Sequence, residues 1–512
     1  MSDKMDINVI PDKKLTTKYV SSLSKIYWKD EESFKKTIAA LNSYGVCPRC
    51  CLRFLAIDNQ SIYRSSFQWM ADFLKEREET MCSNICCACL GVLQEKYCRE
   101  EFRKEIIKTL MEAKYEYDSF FVAITLPVST MMREHSIWLK LAEQDKTAFN
   151  DYRRRDLASL KDCWKWVNGD DLGESLGRKS EYSTESACFE ISLNFSHKTQ
   201  FRECYPLDDY FEEFRKRKSD DIVYTRSSVQ RALVKLSDDR FRKLYSSPPT
   251  IPKDECTVEI QFKQDSIFVA GRYNKYSRKL SQTPWVLDSG ERRTNSSVQE
   301  MLCDSIKSHF KADSFVFTSS GREDVDVKML GEGRPFIVEL INPHVTTISK
   351  SELKDITKKI NTQKDIGVRD LQLALRSDTM KLKEGEEQKK KSYSAFCWSK
   401  EPITQEELDS KLSNIKDLKV NQRTPIRVLH RRTNSYRTKM IYSLEAKSIN
   451  EKHFILYLTT QAGTYIKEFV HSDFGRTTPS LGSILGVECD ILELNVTAVD
   501  LDWPERLGDE EK

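Results

Sequence analysis

No apolar run in the 512 residues approaches the roughly 18 consecutive apolar positions that a membrane-spanning helix needs. A helical membrane protein is excluded on that ground. There is no large excess of either charge: Lys plus Arg total 82 against 79 acidic residues, a net charge of +3. Such balance argues against a tail that coats nucleic acid indiscriminately, and it confines any basic surface to local patches that must be found by position. The start, MSDKMDINVIPDKK, has neither an apolar signal region nor an Arg-rich, acid-free transit pattern. The expectation is an intracellular protein of the nucleus, the cytoplasm or both. Lys216-Arg217-Lys218 and Lys389-Lys390-Lys391 could serve as nuclear signals, although solvated charge runs look the same. No internal repeat of fixed period is found. What is present is a polar chain, 31% charged with a mean hydropathy of -0.58, long enough for about two to four domains.

The chain changes texture midway. Helical spacing runs over 33–45, stopping on Gly45, and over 68–80 and 101–116. FFVAITLPV (120–128) reads as a buried strand, 135–161 as one or two helices, 167–185 as a polar loop and SACFEISLNFSH (186–197) as a strand. Helical pattern returns at 206–218 and 226–243. SSPPTIPKDE (246–255), with three prolines in ten positions, marks a boundary. Beyond it CTVEIQFKQDSIFVAGRY (256–273) alternates like a hairpin, and strand-like runs dominate at 314–318, 324–330, 336–342, 393–398, 426–431, 438–448, 453–460 and 491–499. Helices fall near 295–309, 350–360 and 404–413. The expected class is α+β, with an α/β module first and a large, mainly antiparallel sheet in the second half.

The 15 cysteines are odd in number and no secretion signal accompanies them, so a disulfide framework is not expected. Eight of them lie between Cys47 and Cys98. Cys47-Pro48-Arg49-Cys50 and Cys86-Cys87-Ala88-Cys89 are two CxxC pairs with 35 residues between them. Two such pairs supply the four thiolates of a tetrahedral structural zinc site, each pair reaching one ion from a tight turn. Spacing favours Cys86 with Cys89, while Cys87 could substitute; buried free thiols are the plain alternative.

GRYNKYSRKLSQTPW (271–285) interleaves Arg272, Lys275, Arg278 and Lys279 with Tyr273, Tyr276 and Trp285. VLHRRTNSYRTKMIY (428–442) carries His430, Arg431, Arg432, Arg437 and Lys439. Cations meet phosphates and aromatic faces stack on unpaired bases, so two such patches in one half of the chain favour RNA over a merely solvated face.

TSSGREDVDVKML (318–330) places Arg322, Glu323, Asp324 and Asp326 between apolar strands. As a strand, 324–330 would put Asp324, Asp326 and Lys328 on one face and Val325, Val327 and Met329 on the other. Arg322 beside a carboxylate favours its ionised form, and a positioned ionised Asp is a nucleophile or a base. Alternation alone does not choose between Asp324 and Asp326, and a charged hairpin edge that blunts aggregation would look similar.

SGREDVDV followed by GRPFIVELINP resembles the catalytic motif of the tRNA pseudouridine synthase family often called "Pus ten", whose wider superfamily carries a Gly-Arg-x-Asp turn. RYNKYSRKLSQTPW (272–285) resembles the run at the entrance of that family's catalytic domain, KSYSAFCW (391–398) its Lys-x-Tyr motif, and AGTYIKEFVHSDFGRTTPSLGSIL (462–485) its Gly-Thr-Tyr-Ile-Lys/Arg motif. The likeness is strong over 256–500 and weaker upstream. It implies a helical zinc-binding module at 1–100, a THUMP-like α/β RNA-binding domain at 101–250 and a pseudouridine synthase catalytic domain at 256–505. It implies that Asp324 attacks the ribose or otherwise opens the glycosidic bond, that Tyr393 stacks on the target base, and that Lys467 pairs with Asp324. Arg322 would orient the turn or bind the RNA backbone, Tyr465 would pack beneath the site, and Arg272, Lys275, Arg278, Arg431 and Arg432 would meet RNA. It implies a tRNA T-loop substrate, with one or both of two adjacent uridines modified, and structural zinc on Cys47, Cys50, Cys86 and Cys89 with no organic cofactor. Glu323 departs from the Thr of many bacterial relatives, and its role and that of Asp326 stay open. The alternative is an RNA-processing factor or chaperone on a synthase scaffold.

Overall fold

The structure, a computed structural model, describes residues 21–67, 69–70, 74, 84–149, 156–182, 187–210, 224–387 and 389–508. The expected helix at 68–80 and the second half of that at 206–218 lie almost wholly outside these residues, as do Cys82 and Lys216-Arg217-Lys218. The chain divides between Lys263 and Gln264 into two compact units. Among the described residues no helix is long and apolar enough to cross a membrane.

In the first unit, the helix Glu31–Ser43 starts where Asp30 accepts a hydrogen bond from the Ser33 amide at 2.7 Å, and it buries Phe34, Ile38 and Leu41 along one face. Gly45 ends the run at a positive φ and delivers the chain to the first CxxC pair, from which Pro48–Phe54 continues as a short helix with Pro48 in its first turn. The helix Glu100–Ala113 then leads into β1 (Ser119–Thr125). Two helices, Ser129–Gln144 and Leu160–Leu176, cross over to β2 (Lys179–Glu181), and β3 (Phe189–Ser196) and β4 (Thr257–Gln264) complete a four-stranded sheet in the order β2-β1-β3-β4. β1 runs parallel to both β2 and β3, and the parallel step from β1 to β2 is made by the two helices. The larger core cluster of the unit runs from Ile26 through the cysteines and Trp138 and Trp164 to Cys256, and a second one gathers Met132, Leu139, Cys204, Val229 and Phe241.

Two expectations are corrected here. Of the loop expected at 167–185, the first ten residues instead complete the helix Leu160–Leu176 and Lys179–Glu181 is a strand, while 183–185 lie outside the described residues. Two internal glycines and four acids hide the periodicity. The helix stands because Ser159 caps it and because Leu160, Cys163, Trp164, Val167 and Leu172 are buried. The hairpin read over 256–273 does not form either. β4 joins the first unit's sheet, and the strand after it belongs to the second.

The second unit is built on ten strands: β5 (Ile267–Lys275), β6 (Ser314–Ser319), β7 (Lys328–Ile341), β8 (Ile366–Ala374), β9 (Lys391–Ser399), β10 (Lys416–Arg423), β11 (Tyr436–Asn450), β12 (His453–Thr460), β13 (Thr477–Thr478) and β14 (Cys489–Val499). Their order is β13-β10-β11-β12-β9-β14-β7-β5-β8, with β6 also on β7. The β7–β14 pairing is parallel and the others are antiparallel. The helix Val298–Phe310 begins at its cap Ser297 and buries Leu302, Ile306 and Phe310 in the core under the sheet. The strand expected at 426–431 is instead a turn of 3₁₀ helix, Ile426–Val428. The strand expected over 324–330 starts only at Lys328, so Asp324 and Asp326 are on a turn, not on a shared strand face.

Candidate active site

The turn between β6 and β7 is shaped by Gly321. Its φ is +90°, its amide bonds back to the Ser319 carbonyl at 2.8 Å, and a Cβ there would meet Lys391 Nζ at 2.8 Å and Arg334 Nη1 at 3.2 Å. The Val327 amide closes the loop onto the Asp324 carbonyl at 3.1 Å. Between these points the side chains divide. Glu323 points inward with none of its side chain exposed, and Asp324 points outward with 39% exposed.

Inward, Glu323 Oε2 takes the Arg334 guanidinium at 2.8 Å and the Tyr273 hydroxyl lies 2.9 and 3.1 Å from its two oxygens. Tyr273 in turn accepts from Gln282 at 2.7 Å, and the same Gln282 amide reaches Ser319 Oγ and the Gly321 carbonyl. Arg334 also donates to the Ser320 carbonyl at 2.7 Å. Burial raises the Tyr273 phenol, helped by the Glu323 charge, so Tyr273 is the donor in that pair. Lys275, fully buried, gives its three ammonium hydrogens to the carbonyls of Leu280, Asp324 and Val325 at 2.8, 3.1 and 2.8 Å. Burial lowers it to about 8 despite the pull of Glu323, Asp326 and Asp324. The backbone that carries Asp324 therefore rests on a buried ionic bed.

Outward, Asp324 Oδ2 lies 3.0 Å from Arg427 Nη1 and 3.6 Å from Lys467 Nζ. Arg427 Nε also donates to Glu468 at 2.8 Å, whose side chain is 2% exposed. Burial disfavours the Arg427 charge, but Glu468, Asp324 and Asp326 outweigh it and the net shift is upward. Lys467 makes its close contacts with Asp326, at 2.6 and 2.9 Å. Burial pushes the Asp326 carboxyl up, yet the bond and charge of Lys467 hold it below its ordinary range. Lys467 thus spans both aspartates and lies nearer to Asp326, while Arg427 takes the closer place at Asp324.

These groups open onto a cleft of about 450 Å³ lined by Gly321, Asp324, Val327, Tyr393, Leu494 and Val496 among others. Tyr393 stands in mid-sheet, paired across to Leu458 on β12 and Val496 on β14. Burial raises its phenol against the opposing effect of Arg334. Eight lining side chains are cationic and two are carboxylic. Apolar lining with an aromatic ring, one outward carboxylate and exposed arginines suit a planar base carried on phosphates.

Arg322, Tyr393, Lys467, Arg431 and Arg432 all line this cleft, with Arg322 exposed. Tyr465, expected beneath the site, lines it too, and its hydroxyl accepts from Arg432 at 3.0 Å. Arg272 and Lys275 are placed differently. Arg272 is 6% exposed and donates to the Gly333 and Leu501 carbonyls, and Lys275 is buried under the turn. Arg278 spends its guanidinium on the carbonyls of Asp326 and Leu494 and on Glu493 and Asn495. These three cations hold protein together instead of presenting charge. Sequence reasoning missed Arg427, Arg334 and Glu468. Arg427 lies one residue before the basic stretch at 428–442, and the Glu of an Ile-Lys-Glu helix start carries no sign of burial.

In the first unit, Cys47, Cys50, Cys86 and Cys89 are buried with their sulfurs all within 4.8 Å of one another. The fourth position is Cys86, not Cys87. The Cys47 amide donates to Cys86 Sγ at 3.2 Å and the Leu93 amide to Cys89 Sγ at 3.5 Å. Burial pushes the Cys47, Cys50 and Cys89 thiols up, while at Cys86 hydrogen bonds from the other three thiols and the Cys47 amide outweigh burial and hold it down; one thiolate is favoured as the pocket stands, and four together need a cation beside them. The set fits a metal ion that favours sulfur and four ligands.

Residues 268–500 match the family described as "Pus10, C-terminal", and residues 86–261 match "Eukaryotic Pus10, N-terminal". A Homo sapiens protein named "tRNA pseudouridine synthase Pus10" is 38% identical over 93% of this chain and 99% of its own, and one from Xenopus laevis is 39% identical over 94% and 99%. A protein of that name from Thermofilum pendens is 39% identical but covers 47% of this chain and 54% of its own. Among solved structures, a chain of a Cbf5-Nop10-Gar1 complex overlaps 44% of this chain and 48% of its own at 16% identity with a TM-score of 0.26, a likeness that carries no weight. Near-full-length identity of this order, with both halves matched separately, is decisive: the chain belongs to the Pus10 family and is an RNA pseudouridine synthase, an isomerase.

Proposed function

We propose that the chain converts uridine to pseudouridine in the T-loop of tRNA, at one or both of two adjacent uridines, with Asp324 as the nucleophile. The single observation that carries the assignment is the outward Asp324 carboxylate, placed between Arg427 and Lys467 in a cleft whose lining includes Tyr393. The target uridine leaves its stack at a cost of a few kcal/mol. Its base lies against Tyr393, and Asp324 attacks C1′, forming an ester bond as the N1–C1′ bond breaks. The uracil stays in the cleft, turns, and joins C1′ through C5 as the Asp324–C1′ bond breaks and frees the carboxylate; the C5 proton is then lost and N1 gains one. Atoms balance within the substrate, so no organic cofactor enters. Lys467 steadies Asp326 and Asp324 together, Arg427 steadies Asp324, and Arg322, Arg431 and Arg432 receive the backbone. The relatives' shared name and the exposed arginines of the cleft support tRNA as the substrate. The test is a pseudouridine map of T-loop tRNA before and after incubation: one or two new sites in the T-loop are expected, and none would end the proposal.

The first unit is read as the RNA-docking part, THUMP-like in role, with zinc on Cys47, Cys50, Cys86 and Cys89. When bound, zinc would supply a cross-link between two turns. Chelation is expected to destabilise this unit by on the order of several kcal/mol, seen as faster hydrogen exchange over 45–98 with release of one zinc per chain. Exchange over 314–341 should hold. Metal-free protein with undisturbed exchange would refute the zinc.

A further inference from the structure

The turn after the helix Ile466–His471 contains Ser472, Asp473 and Phe474 at φ of +67, +49 and +57°, followed by Gly475 at +79°. Three successive non-glycine residues in the left-handed region are unfavourable and persist only where the surroundings impose them. Here they do. Asp473 is 7% exposed; its amide donates to His471 Nδ1 at 3.1 Å, and its carboxylate accepts the Ile426 amide at 3.2 Å and faces Arg476 at 3.5 Å. The Arg476 and Thr477 amides bond back to Asp473 and Ser472 at 3.1 and 3.0 Å. The product of this bracing is Phe474, 93% exposed.

The bracing ties Phe474 to the cleft. Ile426 precedes Arg427, the arginine that grips Asp324. Arg476 and Arg423 both donate to Asn434 Oδ1, and the Arg423 guanidinium lies 5.4 Å from the ring of Tyr436, itself 73% exposed. A solitary exposed apolar residue needs no explanation. One held out on a strained, fully braced turn and joined to an arginine network beside a cationic cleft is different. That setting suits a flat, apolar-faced group attached to phosphates.

We propose that Phe474 is a stacking platform for an unpaired base of the RNA other than the uridine that enters the cleft. The proposal rests on the RNA-modifying reading above and adds a second contact to it. It makes Phe474 a positioning residue: it fixes which loop the enzyme accepts and touches no reacting atom.

The test uses the full chain, as wild type and as Phe474→Ala and Phe474→Trp. The probes are T-loop hairpins carrying 2-aminopurine at one unpaired position at a time, and a fully paired duplex of the same length. Wild type should quench the fluorophore at one loop position. Phe474→Ala should lose that quench and about tenfold in hairpin affinity, raising KM with kcat unchanged. Phe474→Trp should restore both, and duplex binding should not change. The proposal is overturned if Phe474→Ala keeps quench and affinity, or if duplex binding falls as much as hairpin binding. Pseudouridine formation by wild type on the unlabelled hairpin reports separately on the enzymatic reading.

Discussion

Asp324→Ala is expected to cut pseudouridine formation by on the order of 10⁴-fold or more, the scale of losing a covalent nucleophile, with RNA affinity changed by less than about threefold. The geometry explains why chemistry and folding should separate. Removing the carboxylate leaves Arg427 with Glu468 at 2.8 Å and Lys467 with Asp326 at 2.6 Å, so neither cation is stranded. The Asp324 carbonyl still accepts from Lys275. The side chain is 39% exposed, and its loss should cost under about 1 kcal/mol. A thermal melt matching wild type, together with lost turnover, is the predicted pair of results. Retained turnover would remove Asp324 from the mechanism.

The second large effect lies one residue away and is of the opposite kind. Glu323→Ala is expected to destabilise the second unit by about 3–5 kcal/mol, because it strands a buried guanidinium. Arg334 is 2% exposed, its partner Glu323 is wholly covered, and the Tyr273 hydroxyl would lose its acceptor as well. Hydrogen exchange over β6 and β7 should speed up accordingly. Glu323→Gln keeps an acceptor and the shape, and should recover part of the loss. The two neighbours thus separate cleanly: Asp324 should matter for turnover and little for stability, and Glu323 for stability first. Unchanged exchange in Glu323→Ala would show that the turn does not rest on that pair.

Much of this was legible in the sequence, and the exceptions have physical causes. The CxxC pairs announced their cluster, because metal ligation demands a spacing that periodicity does not. The apolar alternation of β6, β9, β11, β12 and β14 announced a sheet for the same reason: it records burial directly. What failed was local reading where tertiary contacts decide. The second half of the helix Leu160–Leu176, from Val167 onward, reads as a loop because its stability comes from Val167 and Leu172 in the core, not from propensity. β4 and β5 looked like a hairpin, since alternation does not say which sheet a strand joins. Arg272, Lys275 and Arg278 looked like an RNA patch; a lysine that feeds three carbonyls reads in sequence like one that meets a phosphate. Asp324 and Asp326 were equivalent on periodicity, and the fold distinguishes them by partner, Arg427 for one and Lys467 for the other.

The most direct measurement is tritium release from tRNA labelled at uridine C5, since joining the sugar to C5 expels that hydrogen. Wild type should release one tritium for each T-loop uridine converted, and Asp324→Ala, bound to the same tRNA, should release none above background. Release by Asp324→Ala at the wild-type rate would contradict the account, as would a wild-type protein that binds the tRNA and releases nothing.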